Sequence, residues 1–153
     1  MCRCLYGLIM IILQQGQFGR AIATCSRNKN LSGNVTFLWT MKHKLSNQAW
    51  QFIPYRDPSI TFGYEPAYDL FDININLSQP ENYIGTSSSN CVNLHFIPGE
   101  YYLKIYEQVS TTNLNPALSY DYVYEGMVVI KSEDPIQEIS YSGQSDVFIV
   151  YQN

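Results

Sequence analysis

Apolar and polar residues alternate most regularly between Gly99 and Gln108, where the chain reads Gly-Glu-Tyr-Tyr-Leu-Lys-Ile-Tyr-Glu-Gln. Successive side chains of a β-strand point to opposite faces, so this period of two predicts a strand. One face carries Tyr101, Leu103, Ile105 and Glu107, and the other carries Tyr102, Lys104, Tyr106 and Gln108. A second apolar run, 122–131, follows a connection rich in Ser, Thr and Asn. The two runs together predict a hairpin of two long strands.

Shorter apolar or alternating runs predict further strands elsewhere in the chain. They cover residues 10–16, 18–25, 35–41, 50–55, 68–77, 92–96 and 147–151. Pro54 indicates an edge position or a strand end, because proline cannot donate to a sheet ladder. No segment shows a sustained helical period. The pattern therefore predicts an all-β fold, an antiparallel β-sandwich that is Ig-like or jelly-roll-like, with little or no helix.

The chain has 153 residues, which is the usual size of one domain, and we predict a single β-sandwich domain over residues 10–153. Residues 1–9 are predicted to be an upstream or disordered segment, with Met10 as a candidate native start. The apolar run from Leu5 to Leu13 is too short to span a bilayer, and we expect no membrane partner. A signal peptide is the alternative interpretation, although glutamines rather than small residues follow the run.

Composition indicates a surface made for protein contact. Charged residues make up 14% of the chain, against about a quarter in an average globular protein. The exterior is therefore expected to be uncharged polar or to be covered by other subunits. Thirteen tyrosines, which suit interfaces, support the second possibility. The net charge of −4 and the absence of a basic run argue against nucleic-acid binding.

The cysteines and histidines do not form a recognisable metal motif. The four cysteines are Cys2, Cys4, Cys25 and Cys91, and the two histidines are His43 and His95. The spacing matches neither a zinc knuckle nor a small disulfide scaffold, so we expect free thiols, with Cys25 and Cys91 buried on strands. No metal and no cofactor are predicted.

No catalytic motif is present either, and we predict that the protein is not an enzyme. Six acids on strands and turns could supply a carboxylate pair, namely Asp57, Asp69, Asp72, Glu100, Glu107 and Glu125, but such acids occur in any β-protein. His95 is expected to pack or to form a hydrogen bond. Trp39 and Trp50 could form a sugar-stacking platform, although tryptophans at alternating strand positions are ordinarily core.

Several blocks of the sequence resemble a group of small virion proteins from tailed phages of Bacteroidetes, including crAss-like phages. The blocks are residues 44–52, 68–73, 98–108, 110–114 and 124–130, and the similarity runs from about Met10 to the end. Members of that group begin close to the Met-Ile-x-Leu segment, which is a second reason to consider Met10 the start. Residues 26–40 form a longer stretch here than is usual in the group.

The resemblance implies a non-enzymatic β-sandwich that assembles on the phage particle, as an auxiliary or minor capsid subunit or in the neck or tail. The expected partners are copies of itself and other virion proteins such as the major capsid protein. The predicted contact residues are tyrosines of the hairpin and its connection: Tyr102, Tyr106, Tyr120, Tyr122 and Tyr124.

Two other classes of function remain open at this point. The first is a secreted or surface carbohydrate-binding module, in which Trp39, Trp50 and tyrosines would form a stacking face and Asp or Asn residues would hold calcium. The second is a β-sandwich glycosidase or lyase, for which the chain is short and poor in converging charged groups.

Overall fold

The computed structural model describes residues 10–58 and 68–133, and this part of the chain is almost entirely β-structure. The strands are β1 (Met10–Gln14), β2 (Phe18–Ala23), β3 (Thr36–His43), β4 (Ala49–Phe52), β5 (Tyr55–Arg56), β6 (Asp69–Asn74), β7 (Val92–Asn93), β8 (Gly99–Gln108) and β9 (Asp121–Lys131). Helical structure in these residues is limited to a short α1 (Cys25–Asn28) and a 3-10 turn (Pro116–Leu118). The predicted all-β sandwich with little helix is confirmed.

The strands form two sheets. The five-stranded sheet has the order β1-β9-β8-β3-β4, and in the four-stranded sheet β6 pairs with β2 on one side and with β5 and β7 on the other. The orders β9-β8-β3-β4 and β2-β6-β5 are those of the G-F-C-C′ and B-E-D sheets of a variable-type immunoglobulin sandwich. Pairing is mainly antiparallel, but β1 runs parallel to β9 and β7 runs parallel to β6.

Aromatic side chains on the inward faces of the strands, together with Phe96 from the β7–β8 connection, fill the space between the sheets. Trp39 is fully buried and meets the ring of Phe71 edge-on, with 5.0 Å between centroids. A second group packs around Phe96, which contacts Trp50 at 5.3 Å and Tyr101 at 5.5 Å. Both tryptophans are therefore core residues, as their alternating strand positions indicated, and they do not form an exposed stacking platform.

Tyr101 also anchors the start of β8. Its hydroxyl donates a hydrogen bond of 2.6 Å to the carbonyl of Ile97, four residues upstream. This is the tyrosine-corner arrangement of immunoglobulin-like sandwiches. Burial raises the pKa of Tyr101 to about 12, because the apolar surroundings disfavour the phenolate.

Some strand predictions need correction. The predicted strand 50–55 is two strands in different sheets, since the chain crosses from β4 to β5 at Pro54. Cys25 is buried as expected but begins α1 instead of ending a strand. The run 92–96 contributes only the two residues of β7, so His95 lies outside a strand. Leu77, expected on the buried side of its run, is half exposed.

The predictions for residues 1–9 and for a strand at 147–151 lie outside the described residues.

Candidate interaction surface

The side of the five-stranded sheet that points away from the core, here called the outer face, carries a continuous group of apolar side chains. Its members lie side by side in the register of three neighbouring strands: Met127 of β9 pairs with Met10 of β1 and with Tyr102 of β8, and Val129 pairs with Ile12. Met10, Ile12 and Tyr102 are 53%, 52% and 57% exposed. We call Met10, Ile12, Tyr102, Met127 and Val129 the apolar patch. Contiguous exposed apolar surface of this kind marks sites of protein contact.

Charged side chains border the apolar patch. Lys44 Nζ lies 2.6 Å from Glu100 Oε2, and Lys104 Nζ lies 3.9 Å from Glu125 Oε1. Lys44 Nζ also lies 5.1 Å from the centroid of the Tyr102 ring, a cation–π contact. An apolar centre with a polar, hydrated border is the usual anatomy of a protein–protein interface.

Beyond the charged pair Lys104 and Glu125, the outer face ends in a pair of tyrosines. Tyr106 and Tyr122 face each other across β8 and β9 with 6.5 Å between ring centroids and an edge-to-face angle of 72°. Lys104 Nζ lies 5.4 Å from the centroid of the Tyr122 ring. Three of the five predicted contact tyrosines, Tyr102, Tyr106 and Tyr122, therefore share the outer face.

Tyr124 lies on the opposite side of the sheet from Tyr122, although the two are separated by one residue only. A register shift between Ile105 and Tyr106 inserts Val123 as an extra residue in β9, and a β-bulge of this kind changes which face the following side chains occupy. Tyr124 packs against the hydrophobic core, and burial raises the pKa of its hydroxyl. The structure thus does not bring Tyr124 together with the outer-face tyrosines.

The fifth tyrosine, Tyr120, belongs to a different surface at one end of the sandwich. It is 66% exposed and lines a shallow pocket of about 510 Å³ with other residues of the β8–β9 connection and with Leu31. Val109 and Leu118 in that pocket are also strongly exposed. We call Leu31, Val109, Leu118 and Tyr120 the loop end.

A buried carboxylate holds the loop end in place. Glu107 is fully buried, and its Oε2 accepts hydrogen bonds from the backbone N–H groups of Asn30 and Leu31, each at 2.9 Å. The next residue, Gln108, donates from its amide to the carbonyls of Ser110 and Asn113. Glu107 is therefore a structural residue that ties the β2–β3 connection to β8.

The acids of the four-stranded sheet are also engaged in internal pairs. Asp72 is fully buried and accepts from Arg20 Nε at 3.0 Å and from Ser88 Oγ at 2.6 Å. Asp69 accepts from the backbone N–H of Ser26 at 2.6 Å. Because Arg20 lies between the exposed Phe18 and Ile22 on β2, these two apolar side chains form no continuous patch.

An open groove of about 520 Å³ runs beside β4. Its lining includes Gln48, Gln51, Tyr83, Glu81 and His95. The hydroxyl of Tyr83 donates to Glu81 at 2.5 Å, a contact that lowers the pKa of Glu81 and raises that of Tyr83. As expected, His95 serves in a hydrogen bond: its Nε2 lies 2.7 Å from the carbonyl oxygen of Gln79, so it donates. This groove was not predicted from the sequence, because β4 and the loops that line it are far apart along the chain.

Of the apolar patch only Tyr102 was predicted as a contact residue, and Met10, Ile12, Met127 and Val129 were not. A signal was available in β1, where Met10, Ile11, Ile12 and Leu13 are apolar on both faces of the strand. A strand that is apolar on both faces is either covered on both sides within its own fold or exposes one face to a partner.

Cys25 and Cys91 are free thiols, with Cys25 buried and Cys91 partly buried. Burial raises the pKa of both thiols. Within residues 10–58 and 68–133 no group of three or more His, Cys, Asp or Glu side chains is placed to hold a metal ion. The same ranges contain no helix long and apolar enough to cross a membrane.

No protein-family model, no curated protein and no solved structure matches the chain.

Proposed function

We propose that this chain is a non-enzymatic structural subunit of a bacteriophage particle that acts through protein–protein contact. An auxiliary or minor capsid role at the head is the preferred position in the virion, with the neck or tail as the other positions. The proposed partners are copies of the chain and other virion proteins such as the major capsid protein, without nucleic acid, membrane or cofactor.

The observation that carries the proposal is the outer face of the five-stranded sheet. It joins the apolar patch to two Lys–Glu pairs and to the Tyr106–Tyr122 pair, and all of these residues except Lys44 of the β3–β4 turn lie on paired strands. Rigid, aromatic-rich surfaces of this type lose little conformational entropy when a partner covers them. The sequence resemblance to small virion proteins supports the same role.

The test is the protein content of purified particles. Particles of the phage that encodes this chain would be purified on a density gradient and quantified by mass spectrometry against the major capsid protein. A fixed copy ratio, retained through a high-salt wash, is the expected result. Absence of the chain from particles that remain infectious would refute a structural role in the virion.

A carbohydrate-binding module is the second candidate, and the groove beside β4 is the observation that favours it. The groove combines the partly exposed Tyr83 ring with the amides of Gln48 and Gln51, and sugars are bound by aromatic faces together with planar polar groups. A glycan array followed by titration calorimetry tests it. Specific binding that is lost on Tyr83→Ala, but kept on Tyr120→Ala, is the result that this candidate requires.

A further inference from the structure

On the outer face each side chain of β8 lies beside the side chain of β9 with which it is paired, and we call each such pair a row. The chemistry of these rows indicates what kind of partner can cover the outer face. In three of the four outer-face rows the residue on β8 and the residue on β9 have complementary chemistry: Lys104 with Glu125, Tyr102 with Met127, and Tyr106 with Tyr122; the fourth row, at the edge, sets Glu100 beside Val129. A two-fold axis that lies parallel to the strands between β8 and β9 would place every β8 side chain over the β9 side chain of the same row in a second molecule. An interface about a two-fold axis must be self-complementary in this way.

We propose that two copies of this chain associate through their outer faces about such an axis. This inference rests on the proposed function, since it names a second copy as the partner of the same surface. Lys104 of each copy pairs with Glu125 of the other, and Tyr102 of each copy packs on the Met127 thioether of the other. Tyr106 and Tyr122 form the corresponding aromatic contact. Sulfur–aromatic and edge-to-face ring contacts both contribute favourably beyond the area that they bury.

The charges of the face are suited to a second copy. Lys104 and Glu125 are 46% and 62% exposed at the side chain, so both retain donors and acceptors for a partner beyond their 3.9 Å contact within one chain. The row contains one positive and one negative side chain. In a second copy turned by 180° the order is reversed, so each charge of the row faces the opposite charge. A partner of a single sign would leave one of the two side chains facing a like charge, which is unfavourable.

The flanking strands extend the contact. The same axis places Met10 of β1 over Lys42 of β3 in the second copy, because both lie in the row of Tyr102. The aliphatic stem of a lysine covers apolar surface while its ammonium group reaches water. The side chain of Met10, which is 53% exposed in one molecule, would thereby be shielded from water.

The dimensions of the sheet are adequate for a stable dimer. Five strands spaced by about 4.8 Å and about eight residues long at roughly 3.4 Å each cover on the order of 600 Å². Standard interfaces bury about 800 Å² on each partner. The whole sheet is of that order, but the part of its outer face around Leu38 in β3 is already buried within the chain and is not open to a partner.

The experiment uses two single charge reversals, Lys104→Glu and Glu125→Lys, in the full chain. Sedimentation velocity from low micromolar to near-millimolar concentration should show a dimer for the unchanged protein. Each variant alone should associate more than tenfold more weakly, because two like-charged pairs then face each other across the axis. An equimolar mixture of the two variants should recover association as a heterodimer, in which both crossing pairs are again Lys with Glu.

The mixture separates the contact between copies from the pair within one chain. Each variant molecule keeps its own like-charged pair at positions 104 and 125 when the two are mixed, so recovery arises only from contacts between molecules. Leu45→Glu is the control, since Leu45 is 89% exposed in the β3–β4 turn and belongs to none of the strand rows of the outer face, and this variant should dimerise like the unchanged protein.

A monomer at every concentration would overturn the inference and would leave a different virion protein as the occupant of the outer face. A dimer whose affinity is unchanged by either reversal, or a mixture that fails to recover, would overturn the two-fold contact. Neither result depends on whether the chain is found in purified particles, so the failure of this inference and the failure of the proposed function are distinguishable.

Discussion

Gly99 lies directly against the imidazole of His43, so that a Cβ atom at position 99 would overlap Nε2 of the ring. The ring itself is fixed, because Ser46 places its backbone N–H on Nδ1 at 3.1 Å and His43 is buried. Gly99 also has a φ of 146°, which L side chains rarely adopt. The first residue of β8 is therefore glycine for two independent reasons.

Replacing Gly99 with alanine is expected to destabilise the fold by about 2–3 kcal/mol, the combined cost of backbone strain and overpacking. Chemical denaturation measures this change. Gly33→Ala is the matched control, since Gly33 also has a positive φ, 83°, but open space around its Cβ position. An equal loss of stability in the two variants would show that contact with His43 contributes nothing.

Tyr101 makes stability sensitive to alkaline pH. Its folded-state pKa, about 12, is above the ordinary value of 10.0, so the folded protein favours the neutral phenol. This contribution is fully present below pH 10 and is lost as the pH rises through about 12, at up to about 1.4 kcal/mol per pH unit.

The variant Tyr101→Phe isolates that effect. Near neutral pH its free energy of unfolding should be about 1 kcal/mol lower than that of the unchanged protein, because the hydrogen bond to Ile97 is absent. When the pH is raised above 10, its free energy of unfolding should fall less than that of the unchanged protein. Urea denaturation at a series of pH values measures both effects. Burial also raises the pKa of Tyr124, but that residue is present in both proteins, so parallel alkaline profiles would contradict the role assigned to Tyr101.

Glu107→Gln should lower the free energy of unfolding by about 2–3 kcal/mol. In the unchanged protein backbone N–H groups donate to the buried carboxylate, and in the variant they would face the N–H groups of the new amide. Hydrogen exchange at Asn30 and Leu31 should accelerate together with the loss of global stability. The control is Glu100→Gln, at a carboxylate that is 56% exposed, where a change within about 0.5 kcal/mol is expected. Unchanged exchange at Asn30 in Glu107→Gln would refute the connection between the two segments.

Gly126→Ala tests the position of Tyr124 after the bulge. A Cβ atom at Gly126 would lie 2.9 Å from Cε1 of the Tyr124 ring, so the ring must move, and a loss of about 1–3 kcal/mol is expected. In the double variant with Tyr124→Leu the two effects should be less than additive, because the shorter side chain removes the overlap. Additive losses would indicate that the tyrosine ring does not lie over Gly126.

The strands and their faces could be predicted where one period of two continues without interruption. In β8 the side chains of Tyr101, Leu103 and Ile105 are all fully buried, as the alternation indicates, and Tyr102 is exposed. Such alternation is a local property, because each peptide unit turns the next side chain to the opposite face of the strand.

The candidate surface was predicted only in part. Tyr122 and Tyr124 are two residues apart, so a regular strand would place them on the same face. The bulge at Val123 places them on opposite faces of the sheet. A bulge depends on the partner strand, where Ile105 and Tyr106 set the register, so the pattern of β9 alone contains no sign of it. Pro54 shows the same limit: it indicated a strand end, but not that the chain there passes from one sheet to the other.

The sequence by itself therefore determined that this protein is built of strands, which side chains of β8 enter the core, and that the chain has few charged residues and many tyrosines. Only the tertiary structure decided that β1 lies parallel to β9, which places Met10 beside Met127 and creates the apolar patch. The physical reason is that a strand exposes the same hydrogen-bonding edge to any neighbour, so the choice among neighbours depends on the packing of residues distant along the chain.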